Sequence, residues 1–121
     1  MFLATSNKAK ELLYLSYIGH VDVADLQREH DNVVALLSDL PAAFKMLVDL
    51  ERLESMGIAC VEELGKYMEL LDERGLEQVV RVIPDPTKDI GFNILARFHY
   101  KNNPRITNCK TMLEAAKLLA L

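Results

Sequence analysis

The chain has 121 residues, 50% of them hydrophobic and 26% charged, which suits one compact domain with a single core and is too short for two. Its 14 Lys and Arg against 18 Asp and Glu leave a net charge of -4, which implies no basic surface large enough for non-specific binding of nucleic-acid phosphates. The 5 Gly and 4 Pro are scattered, and with an ordinary apolar fraction this excludes a disordered chain.

Met1 to Ser6 and Glu11 to Ile18 are two apolar-rich runs around Asn7-Lys8-Ala9-Lys10, the pattern of a β-hairpin. Leu13, Leu15 and Tyr17 alternate with Leu12, Tyr14 and Ser16, so the second strand is expected inside the sheet, covered on both faces, and to end at Gly19. Val23, Leu26, Val33, Val34, Leu37 and Leu40 recur at helical spacing up to Pro41. Phe44 to Leu50 is short and apolar, as a central strand should be.

A helix is expected from about Gly57 to Glu73, burying Ile58, Val61, Leu64, Met68 and Leu71 and exposing a Glu62–Lys66 pair, with Arg74-Gly75 as its stop. Val79 to Ile83, bounded by Pro84, is the third core strand. Thr87 caps a helix that carries Ile90, Ile94, Leu95 and Phe98. Arg105-Ile106-Thr107 is a minimal edge strand, and Thr111 to Glu114 is a capping-box pattern that opens a last helix through Leu119. The order β-β-α-β-α-β-α-β-α predicts an α/β fold whose sheet is mostly parallel after the N-terminal hairpin.

No apolar run reaches the ~20 residues of a membrane helix, and Met1 to Ala4 passes straight into Thr5-Ser6-Asn7 without the pattern of a secretory leader. A cytoplasmic location with no membrane partner is expected, and with it two reduced, packed thiols at Cys60 and Cys109.

Tyr17-Ile18-Gly19-His20-Val21-Asp22, followed by a helix and then by Leu47-Val48-Asp49-Leu50, resembles the STAS domain, the fold of sulphate transporters and anti-sigma-factor antagonists. Leu76 to Ile83 before Pro84, and Thr111 to Glu114, resemble that family's next strand and last helix start. The resemblance spans nearly the whole chain as a single domain, 1–121. Antagonists of this family carry Asp-Ser-Ser-Gly at the start of the second helix, and the second serine is phosphorylated by the anti-sigma kinase. Counting on without gaps places Gly57, Ile58, Ala59 and Cys60 in those four positions, so Ala59 stands where the switch serine would be. The resemblance therefore implies a non-enzymatic regulatory module with a protein partner, of the type of an anti-sigma-like kinase, and without the phosphoswitch. A domain that carries a small ligand, nucleotide or lipid, is the alternative.

Ser55, Met56 and Gly57 enter a helix whose free N–H groups can receive an anion or a partner's carboxylate, with Ser55 as a plain helix N-cap, and the resemblance adds Ala59 to this candidate partner site. Asp85 and Thr87 lie in a polar loop at the carboxyl end of a core strand, where α/β sheets receive ligands. His20, His30 and His99 lack metal-ligand spacing, and no cofactor motif is present: neither GxSxG, P-loop nor GxGxxG occurs. His30 falls in the first helix's apolar stripe and is expected half-buried. Cys109 with His99 is a nucleophile and base on paper only, and Tyr67, Phe98 and Tyr100 are the surface expected for a homodimer.

Overall fold

A computed structural model describes residues 1–85 and 90–121, with 90, 91 and 93 as backbone. The described elements are β1 (Phe2–Asn7), β2 (Leu12–Val21), α1 (Val23–Ser38), β3 (Lys45–Met56), α2 (Cys60–Glu73), β4 (Gln78–Val82), α3 (Ile90–His99), β5 (Arg105–Cys109) and α4 (Met112–Leu118). The sheet order is β1-β2-β3-β4-β5; β1 and β2 form the antiparallel hairpin and every later pair is parallel. This is the α/β architecture that the sequence predicts.

Because the sheet advances one strand at a time in one direction, crossovers of one hand put α1, α2 and α3 on the same face. There Leu13, Leu15, Met46, Val48, Leu50 and Val79 meet Leu26, Val33 and Leu37 of α1, Leu64, Met68 and Leu71 of α2, and Phe92 and Ala96 of α3. On the opposite face Leu12, Leu47, Val80, Val82 and Cys109 pack against Ala115 and Leu119 of the α4 region. The alternation Met46/Leu47/Val48 and Val79/Val80 across these two cores is the period of two that makes both strands interior, each covered twice.

Several boundaries differ from expectation, each for a local reason. Gly19 does not end β2: its φ of +66° and the register shifts at Ser16/Ile18 and Gly19/His20 make it part of a bulged strand that runs on to Val21. That extension pairs Ile18 with Arg52 and Val21 with Met56, so β3 continues well past Leu50 and Ser55 and Met56 are strand residues. Helix α2 accordingly begins at Cys60, three residues later than expected, and buries Cys60, Leu64, Gly65, Tyr67, Met68, Leu71 and Asp72, while Ile58 and Val61 are exposed. Helix α3 likewise buries Phe92 and Ala96 and exposes Ile94 and Phe98. Tyr67 and Tyr100 are both buried, which leaves Phe98 alone of the expected dimer surface. His30 is half covered at the margin of the stripe: its side chain is 52% exposed, its ring lies 5.8 Å from that of Tyr67, and Nδ1 is 3.5 Å from Asp31. The Glu62–Lys66 pair forms at 3.9 Å, and Gly75, at φ +93°, closes α2.

Helix α1 starts with a reciprocal cap that was not foreseen. The Asp25 N–H donates to the Asp22 carboxylate and the Asp22 N–H donates to that of Asp25, both at 3.0 Å. The bond from Asp22, reinforced by Arg28 at 3.2 Å, holds the Asp25 carboxyl below the ordinary carboxylate value. With the folded value below the unfolded one, this stabilisation is complete above the unfolded value and is lost as pH falls through the folded one. Asp25→Asn is therefore expected to lower stability at pH 7 and to approach the parent as pH falls through the folded carboxyl value, as urea midpoints at pH 7 and in acid will show. A difference that persists in acid would assign the loss to geometry instead of charge.

Candidate functional site

The carboxyl end of β3 delivers Ser55 and Met56 to the surface, and the chain then turns through Gly57, Ile58 and Ala59 into α2. The turn is fixed from both ends: the Gly57 N–H donates to the Val21 carbonyl at 3.0 Å, and the N–H groups of Cys60 and Val61 donate back to Gly57 and Ile58. Ala59 is the cap residue and, having no side-chain acceptor, makes no capping hydrogen bond. Ser55 does not cap the helix, as the sequence suggested. Its hydroxyl is hydrogen-bonded to His20 Nδ1 at 2.7 Å, because the register sets His20 of β2 opposite Ser55 of β3.

A groove of about 260 Å³ opens beside this turn. Leu53, Ser55 and Met56 of β3 form its floor, Ile58, Val61 and Leu64 one wall, and Phe92 and Leu95 of α3 the other. Three of the four predicted partner residues, Ser55, Met56 and Gly57, line it, and Ala59 caps the helix at its edge. Ile58 is 92% exposed and Val61 50% exposed, so two branched apolar side chains stand in water at the rim. An exposed isoleucine in the turn before a helix contributes nothing to the core. A side chain at Gly57 would meet only the Val21 carbonyl, at 4.0 Å.

Asp85 is exposed after β4 and does not line the groove, while Thr87 lies outside the described residues. The sequence placed Leu95 on the apolar face of α3 but missed His20, Leu53 and Phe92. His20 could not be found, because its pairing with Ser55 depends on a bulged register between parallel strands; Phe92 carried a helical spacing signal that was read out of phase.

Chemically the site favours apolar contact. Burial raises the Cys60 thiol pKa, aided by the nearby Asp22 carboxylate, and the sulfur lies 3.5 Å from the Val21 carbonyl, so it is a packed thiol and not a thiolate. Cys109 is raised in the same way, by burial and then Glu114. It belongs to the core on the α4 face, whereas His99 donates from Nδ1 to Glu69 at 2.8 Å on the other side of the sheet. The nucleophile and base suggested on paper are not brought together. No three His, Cys, Asp or Glu residues converge as metal ligands among the described residues, and no described helix is long and apolar enough to cross a membrane.

No protein-family model matches the chain, and no curated protein matches it in sequence. Solved structures do. An uncharacterized protein of the DUF3478 family with a SpoIIAA-like fold, from Shewanella loihica, superposes with a TM-score of 0.75 at 11% identity, over 98% of this chain and 92% of that one. The anti-sigma factor antagonist SpoIIAA in its unphosphorylated form gives 0.61 at 18% identity, over 99% and 98%. An anti-sigma factor antagonist from Mycobacterium paratuberculosis gives 0.57 at 18% identity, over 100% and 94%. At these identities the likeness establishes the fold alone: the chain has a SpoIIAA-like fold, the STAS-type architecture.

Proposed function

We propose that this STAS-like domain is a non-enzymatic regulatory module of the bacterial cytoplasm that binds a protein partner at the start of α2. The observation that carries the reading is Ile58, 92% exposed at the rim of an apolar groove, in the turn where the sequence places the interaction site. Apolar side chains that serve no core, gathered around a concave face, are what a partner's anchor residues fill. Two of the structural neighbours are anti-sigma factor antagonists, which supports a partner of the anti-sigma-kinase type. The gap-free count that puts Ala59 in the switch position supports binding without a phosphoswitch.

Ile58→Asp is expected to abolish co-purification of the partner from the host's lysate and to leave the melting temperature unchanged, since the side chain touches solvent alone. Incubation with an anti-sigma-type serine kinase and ATP is expected to leave the intact mass of the parent protein unchanged. Phosphate on Ser55, three residues from the turn's centre and exposed, would replace this reading with a relocated switch.

A second reading, a carrier of a small ligand, rests on the same groove, whose volume of about 260 Å³ admits a small molecule; the interior void behind it, about 20 Å³ between Leu64, Phe92, Arg81, Tyr17 and Tyr100, has room for a single water. Native mass spectrometry separates the two: a co-purifying small molecule that Ile58→Asp leaves in place supports the carrier.

A further inference from the structure

The outer edge of β5 and the flank of α3 form a second concave surface, separate from the groove at α2. Strand β5 pairs on one side only, with β4. The Arg105 N–H donates to the Glu77 carbonyl at 2.9 Å, and the Cys109 carbonyl accepts from the Ile83 N–H at 2.8 Å. These two bonds fix the phase of the strand: Arg105, Thr107 and Cys109 bond inward, and the N–H and C=O of Ile106 point away from the sheet. Along this edge runs a cavity of about 400 Å³, lined by Ala96, Arg97 and Tyr100 of α3, by Ile106, and by Asn103 and Pro104 of the turn between them. Ile106 is partnered in register with Val79 of the main core, so its side chain lies on the α3 face, yet it is 36% exposed because no further strand covers it.

Charge identifies what fits there. In a chain of net charge -4, Arg97 lines this cavity, Lys101 is exposed in the turn before β5, and Arg105 and Lys110 are exposed at the two ends of the strand. Arg105 lies on the α4 face by alternation, and Glu77 and Glu114 are the neighbouring exposed acids; the four cationic side chains make no ion pair among the described residues. Cations on an edge strand oppose pairing with a second copy, since two such edges would bring like charges together. The same cations attract an acidic segment.

We propose that the β5 edge is a docking site for an extended, acidic segment of another protein, which adds to the sheet as a sixth strand. Backbone bonds to Ile106 give it register. Because side chains of a strand alternate, an apolar residue can sit against Ala96, Tyr100 and Ile106 while the residue two positions on places a carboxylate at Arg97. The motif recognised is thus an apolar residue, any residue, then Asp or Glu. This surface is independent of the α2 face, and either can fail alone.

The test uses a fluorescein-labelled peptide, Ser-Val-Thr-Glu-Thr-Val-Ser-Glu-Ser, with anisotropy and amide hydrogen exchange as readouts. The peptide is expected to bind and to slow exchange of the Ile106 amide, and its counterpart with Lys for Glu is expected to bind about tenfold more weakly or worse. Arg97→Glu should invert that preference. Ile106→Pro removes a donor that the sheet does not use and should abolish binding with the far-UV circular dichroism unchanged; should that variant fail to fold, Arg97→Glu decides alone. Equal binding of both peptides, an unprotected Ile106 amide, or no binding at millimolar peptide would overturn the proposal. So would a dimer of the parent protein that the acidic peptide cannot dissociate and Ile106→Pro abolishes, which would assign the edge to a second copy.

Discussion

Asp72→Ala is expected to destabilise the protein by about 3 kcal/mol. The Asp72 side chain, on the last turn of α2, is buried and accepts three hydrogen bonds from the turn that follows α3: from the Lys101 N–H and the Asn102 N–H at 3.1 Å each, and from Asn102 Nδ2 at 3.2 Å. Hydrogen bonds to a carboxylate contribute about 1.5 to 3 kcal/mol apiece, and their loss strands donors that water reaches only partly. Lys101 and Asn102 are exposed residues, so water recovers some of the loss and the total falls well short of the sum. Asp72→Asn keeps one acceptor oxygen and is expected to cost roughly half as much. Urea denaturation measures both. A loss under about 0.5 kcal/mol for the alanine variant would mean that the turn holds its shape without the carboxylate.

Gly65→Val is expected to cost a comparable amount, about 3 kcal/mol, by a different route. A Cβ on Gly65 would lie 2.6 Å from His99 Nε2 and 2.8 Å from Cε1, closer than carbon packs against a ring. The ring cannot simply turn aside, since its Nδ1–H donates to Glu69 at 2.8 Å. Either that bond breaks or α3 rides away from α2, and the clash outweighs the ~1 kcal/mol of helix propensity at stake when a glycine leaves a helix interior. Adding His99→Ala to Gly65→Val should return most of the stability, a coupling that a double-mutant cycle reads directly. Without recovery, the close approach of the two helices would not be the cause. Asp72 and Gly65 bear on both proposed binding surfaces as well as on stability, because each locates α3, and α3 is a wall of both.

The sequence carried the fold through its periods. Met46, Leu47 and Val48 announce a doubly covered strand by being apolar in succession, and Leu26, Val33 and Leu37 announce a helix by recurring at its pitch. What it could not carry was the register of the parallel pair β2 and β3. Two bulges lengthen both strands, and this one event moves Ser55 from a helix cap into a strand, sets it against His20, and delays α2 until Cys60. The stripe of α2 was legible at Leu64, Met68 and Leu71, but the start of α2 and the phase of α3 failed for a related reason. Ile58, Val61, Ile94 and Phe98 satisfy a helical apolar pattern as well as the residues that are actually buried, so spacing alone could not say which stripe faces the sheet. At sites of interaction the apolar residues that belong outside are those that spoil the count. The Thr111 cap was legible in part: its hydroxyl accepts from the Glu114 N–H at 3.1 Å, but the Glu114 carboxylate accepts from Lys110 and not from Thr111.

The coincidence of strand order with chain order bears on how the protein is made. Since β1 to β5 lie side by side in the sequence in which they are written, no strand has to be threaded between two that have already paired. A nascent chain leaving the ribosome can lay down the hairpin, then add each helix and strand to a finished edge, so that synthesis and assembly run in the same direction. The growing edge is at every moment the strand most recently completed, and β5 is where that growth stops.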